Sequence, residues 1–258
     1  MSFDLEKMIN LTKQGDVYIS HACEFESDQW LAYQKRELGY WRKLYDLGYY
    51  PDYKTSFYRT LTKFGVDADY FAGKQLLEIG CGPQGFSANL VQTAEKQPLV
   101  HVVVDSLLDK YQDFPTFSLF GKDTIKIKAL GEKIPVPSDM FDVIVCQNVL
   151  DHVNKPSAVV SEIYRTLKMN GTALISVHIL PPSLMFFETI LKKLDKNHPH
   201  HFTLNYVQSL FNKFEIVSCY SIPLYKDNPE VKKKTFKSLK LLLAARLLCT
   251  LYLKVRKI

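Results

Sequence analysis

No run of 18 uncharged apolar residues occurs in this 258-residue chain, so a membrane-spanning helix is not expected. The start, Met1-Ser2-Phe3-Asp4, lacks a basic region followed by an apolar one, so no secretory leader is read there. Cysteine is scarce and scattered. Cys23, Cys81, Cys146, Cys219 and Cys249 are odd in number and include no Cys-x-x-Cys pair. Reduced thiols in a cytoplasmic protein are the simplest reading. No internal repeat and no low-complexity linker divides the chain.

Hydrophobic residues make up 47% of the sequence, enough for one large domain, or one domain with a small cap. The net charge of +6 is uneven: residues 226–258 carry +8 and the remainder −2. A basic tract this short describes a local surface or partner rather than a nucleic-acid-binding fold.

Residues 1–70 read as an aromatic, helical cap. Ser27 is placed to cap a helix whose Trp30, Leu31, Leu38, Trp41, Leu44 and Tyr45 share a face, ending before Gly48. A second helix is expected from about Asp52 to Phe64. From residue 75 short apolar runs alternate with helical segments. Strands are predicted at 75–79, 99–104, 125–129, 143–146, 172–177 and 215–219, and helices at 85–93, 156–167 and 203–211. A helix over Lys232–Cys249 and a half-buried strand over Thr250–Arg256 follow. Such alternation predicts a doubly wound α/β fold with a mostly parallel sheet, spanning 71–258.

The chemistry is carried by Leu76-Leu77-Glu78-Ile79-Gly80-Cys81-Gly82-Pro83-Gln84-Gly85, a strand, a glycine turn and a helix start. Glycines let a ligand lie against bare backbone, and the first amides of the helix face it. Gly80, Gly82 and Gly85 satisfy G-x-G-x-x-G, and Asp105 ends the next strand, where a carboxylate binds ribose hydroxyls. NAD and S-adenosylmethionine therefore compete as cofactors. Glu78 separates them: it would repel a pyrophosphate, whereas it favours the ammonium and sulfonium of S-adenosylmethionine.

Leu77 to Gly85 resembles motif I of class I S-adenosylmethionine-dependent methyltransferases. The likeness extends through Val103-Val104-Asp105, Ala129 to Pro135, Phe141 to Val153 and Glu162 to Lys168 followed by Gly171. It implies a seven-stranded sheet whose last strand is antiparallel. It also implies that Glu78 and the backbone at Gly80, Cys81 and Gly82 hold the methionine portion, with Asp105 on the ribose. Leu130, Gly131 and Glu132 would border the adenine, although Glu132 also reads as a solvated loop acid. Gln147 would face the sulfonium.

Methyl transfer needs an aligned acceptor and, for an alcohol, a base. His152 follows the fourth of these strands and His178 ends the fifth, both at the carboxyl edge where ligands bind in open α/β sheets. His198-Pro199-His200-His201 precedes a helix that returns over the same crevice. His152 and His201 are the favoured base candidates. Asp151 reads as a cap for the following segment. The clustered histidines have no Cys or carboxylate beside them to complete a metal set, so no metal is expected.

The function expected is methyl transfer to a small or medium acceptor, such as a hydroxyl of a glycan or secondary metabolite. The alternatives are a nicotinamide-dependent oxidoreductase and a non-catalytic cofactor-binding partner subunit. The basic C-terminal helix has two uses open to it: packing on the sheet with a solvated face, or peripheral contact with an anionic membrane.

Overall fold

A computed structural model of the chain describes residues 11–21, 27–48, 53–187, 198–227 and 247–258. Its frame is one sheet whose central strands are β3 (Gln75–Ile79), β4 (Val100–Asp105), β5 (Ile125–Lys128), β6 (Phe141–Gln147) and β7 (Leu167–Ile179). These pair in parallel in the order β5-β4-β3-β6-β7. β3, β4, β6 and residues 173–177 of β7 are buried on both faces, which is why they read as near-continuous apolar runs, whereas β5 alternates as Ile125-Lys126-Ile127-Lys128. Alternation divides the side chains. Leu77, Ile79, Ile144 and Cys146 pack toward α4 (Pro156–Thr166) and α5 (Leu204–Leu210). Leu76, Val143, Val145 and Leu174 pack on the opposite face, toward α2 (Tyr53–Phe64) and α3 (Gly85–Thr93).

Beyond β7 the sheet turns antiparallel. β9 (Cys249–Lys257) lies between β7 and β8 (Phe214–Pro223) and runs against both. The final strand was expected to bury only Leu251, Leu253 and Val255. Tyr252 is buried as well, on the other face, where its hydroxyl donates to Asp227 over 2.9 Å and Phe64 of α2 packs edge-on. All seven expected strands are present, but among the described residues the sheet has nine. The addition is a hairpin, β1 (Leu11–Gln14) and β2 (Val17–Ser20), within the segment expected to be helical. Gly15, at φ 61°, begins the two-residue Gly15-Asp16 turn, and Val17, fully buried, starts the pairing of β2 with β5. A glycine-first two-residue turn followed by β-branched Val17 and Ile19 specifies a hairpin locally.

The helix α1 (Asp28–Asp46) is capped as expected, Ser27 Oγ accepting from Trp30 N at 3.2 Å. Its apolar face comprises Trp30, Leu38, Trp41, Leu44 and Tyr45. Leu31 is half-exposed instead, because it projects one step round the helix from that stripe. Tyr45 meets Phe114 edge-on at 4.8 Å and hydrogen-bonds Thr116, which itself donates to the Pro83 carbonyl. These contacts place α1 along the glycine loop. Among the described residues, no helix is long and apolar enough to cross a membrane. The helix expected over Lys232–Cys249 lies, up to residue 246, outside the described residues, and Cys249 opens β9.

Candidate functional site

β3 delivers the chain to Gly80, and α3 begins at Gly85. Gly80, Gly82 and Gly85 all take left-handed backbone, at φ 69°, 57° and 66°. At Gly80 space matters too: a Cβ there would stand 2.3 Å from Val149 Cγ2. The loop is pinned to β4, since Gly80 N donates to Val104 O at 2.7 Å and Gly82 N to Asp105 Oδ2 at 2.9 Å. Asp105 Oδ1 also accepts from Leu107 N at 2.8 Å. Of the three loop amides expected to hold ligand, those of Gly80 and Gly82 thus already have partners.

Glu78 is buried behind the loop. Oε1 accepts from Phe86 N at 2.7 Å, while Oε2 accepts from Ser87 N at 2.9 Å and from the Ser87 hydroxyl. Its carboxylate therefore sits at the amino end of α3, where the helix dipole favours negative charge. Burial pushes its pKa up to about 7 against these donors, and pushes that of Asp105 up to about 6. Burial likewise raises the Cys81 and Cys146 thiols, which makes both poor nucleophiles.

The raised carboxyl pKa values have a measurable consequence. The folded chain holds more protons than the unfolded one between the ordinary carboxyl range and pH 7. This stabilisation is complete below about pH 4 and is lost as pH rises through about 7. The Glu78 contribution is on the order of 3 kcal/mol. Other groups act at the acid end, so the clean window is pH 5 to 8. There the melting temperature of the ligand-free protein is expected to fall by several degrees, and Glu78→Gln to flatten that fall. An equal slope in the variant would remove Glu78 as its source.

At the end of β5, Leu130 is buried and Gly131 lies against Ile79 and Val159. Glu132 is no solvated loop acid: Oε1 accepts from Asn154 N at 2.9 Å and Lys155 N at 3.1 Å, closing the start of α4. At the end of β6, Gln147 Nε2 is buried without a partner, and so are both amide atoms of Gln84. Asn148 follows with φ 52°, strained for a non-glycine residue. Orphaned donors and acceptors beside strained backbone, at the carboxyl edge of β3 and β6, are what a polar ligand would satisfy.

Asp151 does not cap as expected; it is 2% exposed and its Oδ1 has no hydrogen-bond partner. His152 stands with its ring centroid 4.6 Å from that of His198 and its Nδ1 3.8 Å from Glu37 Oε2 of α1. Glu37 Oε1 accepts from Trp41 Nε1 at 2.8 Å, and the Trp41 ring lies 3.7 Å from where a Gly82 Cβ would be. His178 is partly buried near the end of β7, and desolvation lowers its pKa. The histidine cluster of the sequence is split by the fold. His198 meets His152, and His200 Nε2 lies 2.9 Å from Val153 O. His200 and His201 together line an open cavity of about 360 Å³ with Met185, Phe202 and Tyr206. The expectation that no carboxylate completes a metal set is corrected: ligand atoms of Asp151, His152 and His198 lie within 4.8 Å of one another. Glu37, Trp41 and Gln84 were not singled out for the site from sequence, and only the proximity of Gln84 to the glycines could have found one of them.

Residues 77–175 match a protein-family model described as a methyltransferase domain. A ubiquinone biosynthesis O-methyltransferase of Pseudomonas fluorescens is 27% identical over 131 residues, covering 46% of this chain and 50% of that protein. The chain spans about half the length of the curated relatives it matches. Among solved structures, a putative sarcosine dimethylglycine methyltransferase from Galdieria sulphuraria aligns with a TM-score of 0.60 at 16% identity, over 79% of this chain and 84% of that one. Phosphoethanolamine N-methyltransferase 2 of Haemonchus contortus, solved with S-adenosyl-L-methionine, aligns with a TM-score of 0.53 at 16% identity, over 83% of this chain and 59% of that one. At such identities the likeness is one of fold.

Proposed function

We propose that this chain, whose residues 77–175 match the methyltransferase-domain model, is a class I S-adenosylmethionine-dependent methyltransferase that binds its cofactor at the carboxyl edge of β3, β4 and β6. We further propose that it methylates a hydroxyl of a small or medium acceptor, in the range of a glycan or secondary metabolite. The observation that carries the reading is the pair of carboxylates, Glu78 buried and Asp105 partly buried, flanking a glycine loop. A pyrophosphate would meet repulsion there, and a cationic cofactor is favoured. The O-methyltransferase named among the relatives supports an oxygen acceptor.

When bound, the cofactor supplies a methyl group already activated on a sulfonium. Asp105 keeps lone pairs beyond its two amide bonds for the ribose hydroxyls. The loop at Gly80, Cys81 and Gly82 faces the methionine end, with Glu78 behind it bound to the first amides of α3, and Leu130, Gly131 and Glu132 border the adenine. Gln147 Nε2 gains the partner it lacks. His152, with Glu37 behind one ring nitrogen, is the group placed to take the acceptor proton; His201, which lines the open cavity beside His200, is the less suited of the two expected bases.

In this reading α1, part of the cap expected over residues 1–70, covers the bound cofactor, with Trp41 as the closing side chain. Trp41→Ala is expected to raise the cofactor dissociation constant about tenfold, or about 1.4 kcal/mol. It is a sharper test than truncation, because deleting the amino-terminal residues would also strip β1 and β2 from the sheet. An unchanged constant would make α1 mere scaffolding. The function itself is tested by calorimetry with S-adenosylmethionine and NAD, then by S-adenosylhomocysteine release over a panel of hydroxylated metabolites. Preference for NAD would overturn the cofactor; binding without turnover would favour a partner subunit.

A further inference from the structure

Three side chains at the carboxyl end of β6 form a group that cofactor binding does not use. Asp151 and His152 come from the turn after β6, and His198 from the segment that leads into α5. Each offers a ligand atom, and the three atoms lie within 4.8 Å of one another. The buried Asp151 carboxylate has one oxygen, Oδ1, without any hydrogen-bond partner. A bare carboxylate oxygen in the interior is costly unless a cation or a donor meets it. His178 adds a second bare atom, Nδ1, within electrostatic reach of all three residues. The two rings of His152 and His198 are tilted by 57°, not stacked, as two nitrogens converging on one point would be.

We propose that Asp151, His152 and His198 bind a divalent first-row transition-metal ion of the zinc class. Two imidazoles and one carboxylate suit such an ion, whereas magnesium and calcium prefer all-oxygen sets. With bonds of about 2.1 Å, tetrahedral ligand atoms stand about 3.4 Å apart, so side-chain rotations of about an ångström close the set. Three protein ligands leave a fourth position open. Glu37 Oε2, 3.8 Å from His152 Nδ1, places a second carboxylate at the rim, on the helix that also carries Trp41.

The use of the open position rests on the methyl-transfer reading; ion binding does not. An acceptor hydroxyl oxygen occupies that position and loses its proton to solvent more readily there. Its electron pair then forms the oxygen–methyl bond as the methyl–sulfur bond breaks, and that bond's pair stays on sulfur. The role of His152 as base belongs to the ion-free site.

The test uses the full chain after treatment with a chelator. Zinc(II) is titrated by calorimetry, and cobalt(II) by its visible d–d absorption. One saturable equivalent is expected, with magnesium failing to compete at equal concentration. His198→Ala is expected to weaken zinc binding at least tenfold while S-adenosylmethionine binding to the metal-free protein stays unchanged. Asp151→Asn should act likewise, and His198→Ala carries the test alone if the Asp151 variant does not fold. Absence of saturable binding, or binding unaltered by His198→Ala, overturns the site. Loss of cofactor binding in the wild-type, metal-free protein would instead sink the methyl-transfer reading. Methyl transfer that is indifferent to the chelator would leave the site standing and overturn its role with the acceptor.

Discussion

Gly80→Ala is expected to destabilise the protein by about 2–5 kcal/mol, the sum of a left-handed backbone penalty and a forced overlap. The added methyl would meet Val149 at 2.3 and 2.9 Å, well inside the contact distance of two carbons. Gly82→Ala provides the contrast. Its backbone is equally left-handed, yet the added carbon would rest 3.7 Å from the Trp41 ring, an ordinary contact. Its cost should be about 1–2 kcal/mol. The double variant Gly80→Ala with Val149→Ala is expected to recover part of the loss, because removing both Val149 γ-carbons removes the two shortest overlaps. Urea denaturation of the four proteins measures this. Equal losses for Gly80→Ala and Gly82→Ala would mean that Val149 yields freely and that only the backbone matters.

Asp105→Ala is expected to weaken S-adenosylmethionine binding by about 1.5–3 kcal/mol, a rise of about 10- to 150-fold in the dissociation constant. The structure gives Asp105 a second task beside the proposed ribose contact, because it also fixes Gly82 N and Leu107 N. The variant therefore loosens the glycine loop as well as removing a ligand contact. Asp105→Asn, which retains one carbonyl oxygen, should fall between the two. A calorimetric constant equal to wild type in both variants would remove Asp105 from the cofactor site.

The central sheet was legible because parallel strands buried on both faces write themselves as β-branched runs such as Val102 to Val104 and Val143 to Val145. The hairpin was harder. β1 is mostly exposed and each strand has four residues, so the surrounding helical pattern concealed it, although Gly15-Asp16 marked the turn. The glycine loop was legible because its constraint is local: left-handed backbone needs glycine wherever it occurs. What sequence could not give were partnerships made through space. Glu37 reaches His152 from α1, and His198 does so from far along the chain. Adjacency suggested a single cluster of His198, His200 and His201, while the fold sends His198 to a neighbouring imidazole and leaves His200 and His201 lining one open cavity. The basic tract beyond residue 227 bears on a membrane only through residues outside those described.

The position of β9 sets a timetable for synthesis. β7 and β8 do not touch each other as neighbours; β9 is the strand that joins them, pairing with β7 from Thr172 to Ile179 and with β8 from Phe214 to Pro223. At about 5–20 residues per second, the ribosome finishes β9 roughly 4–16 s after it finishes β7. Through that interval the nascent chain presents β7 as an open edge, with backbone donors and acceptors unpaired and Ala173, Ile175 and Val177 uncovered. Such an edge invites pairing with other chains. Slow decoding between the codons for β7 and β9 is therefore expected to lower soluble yield without altering a single contact of the finished fold.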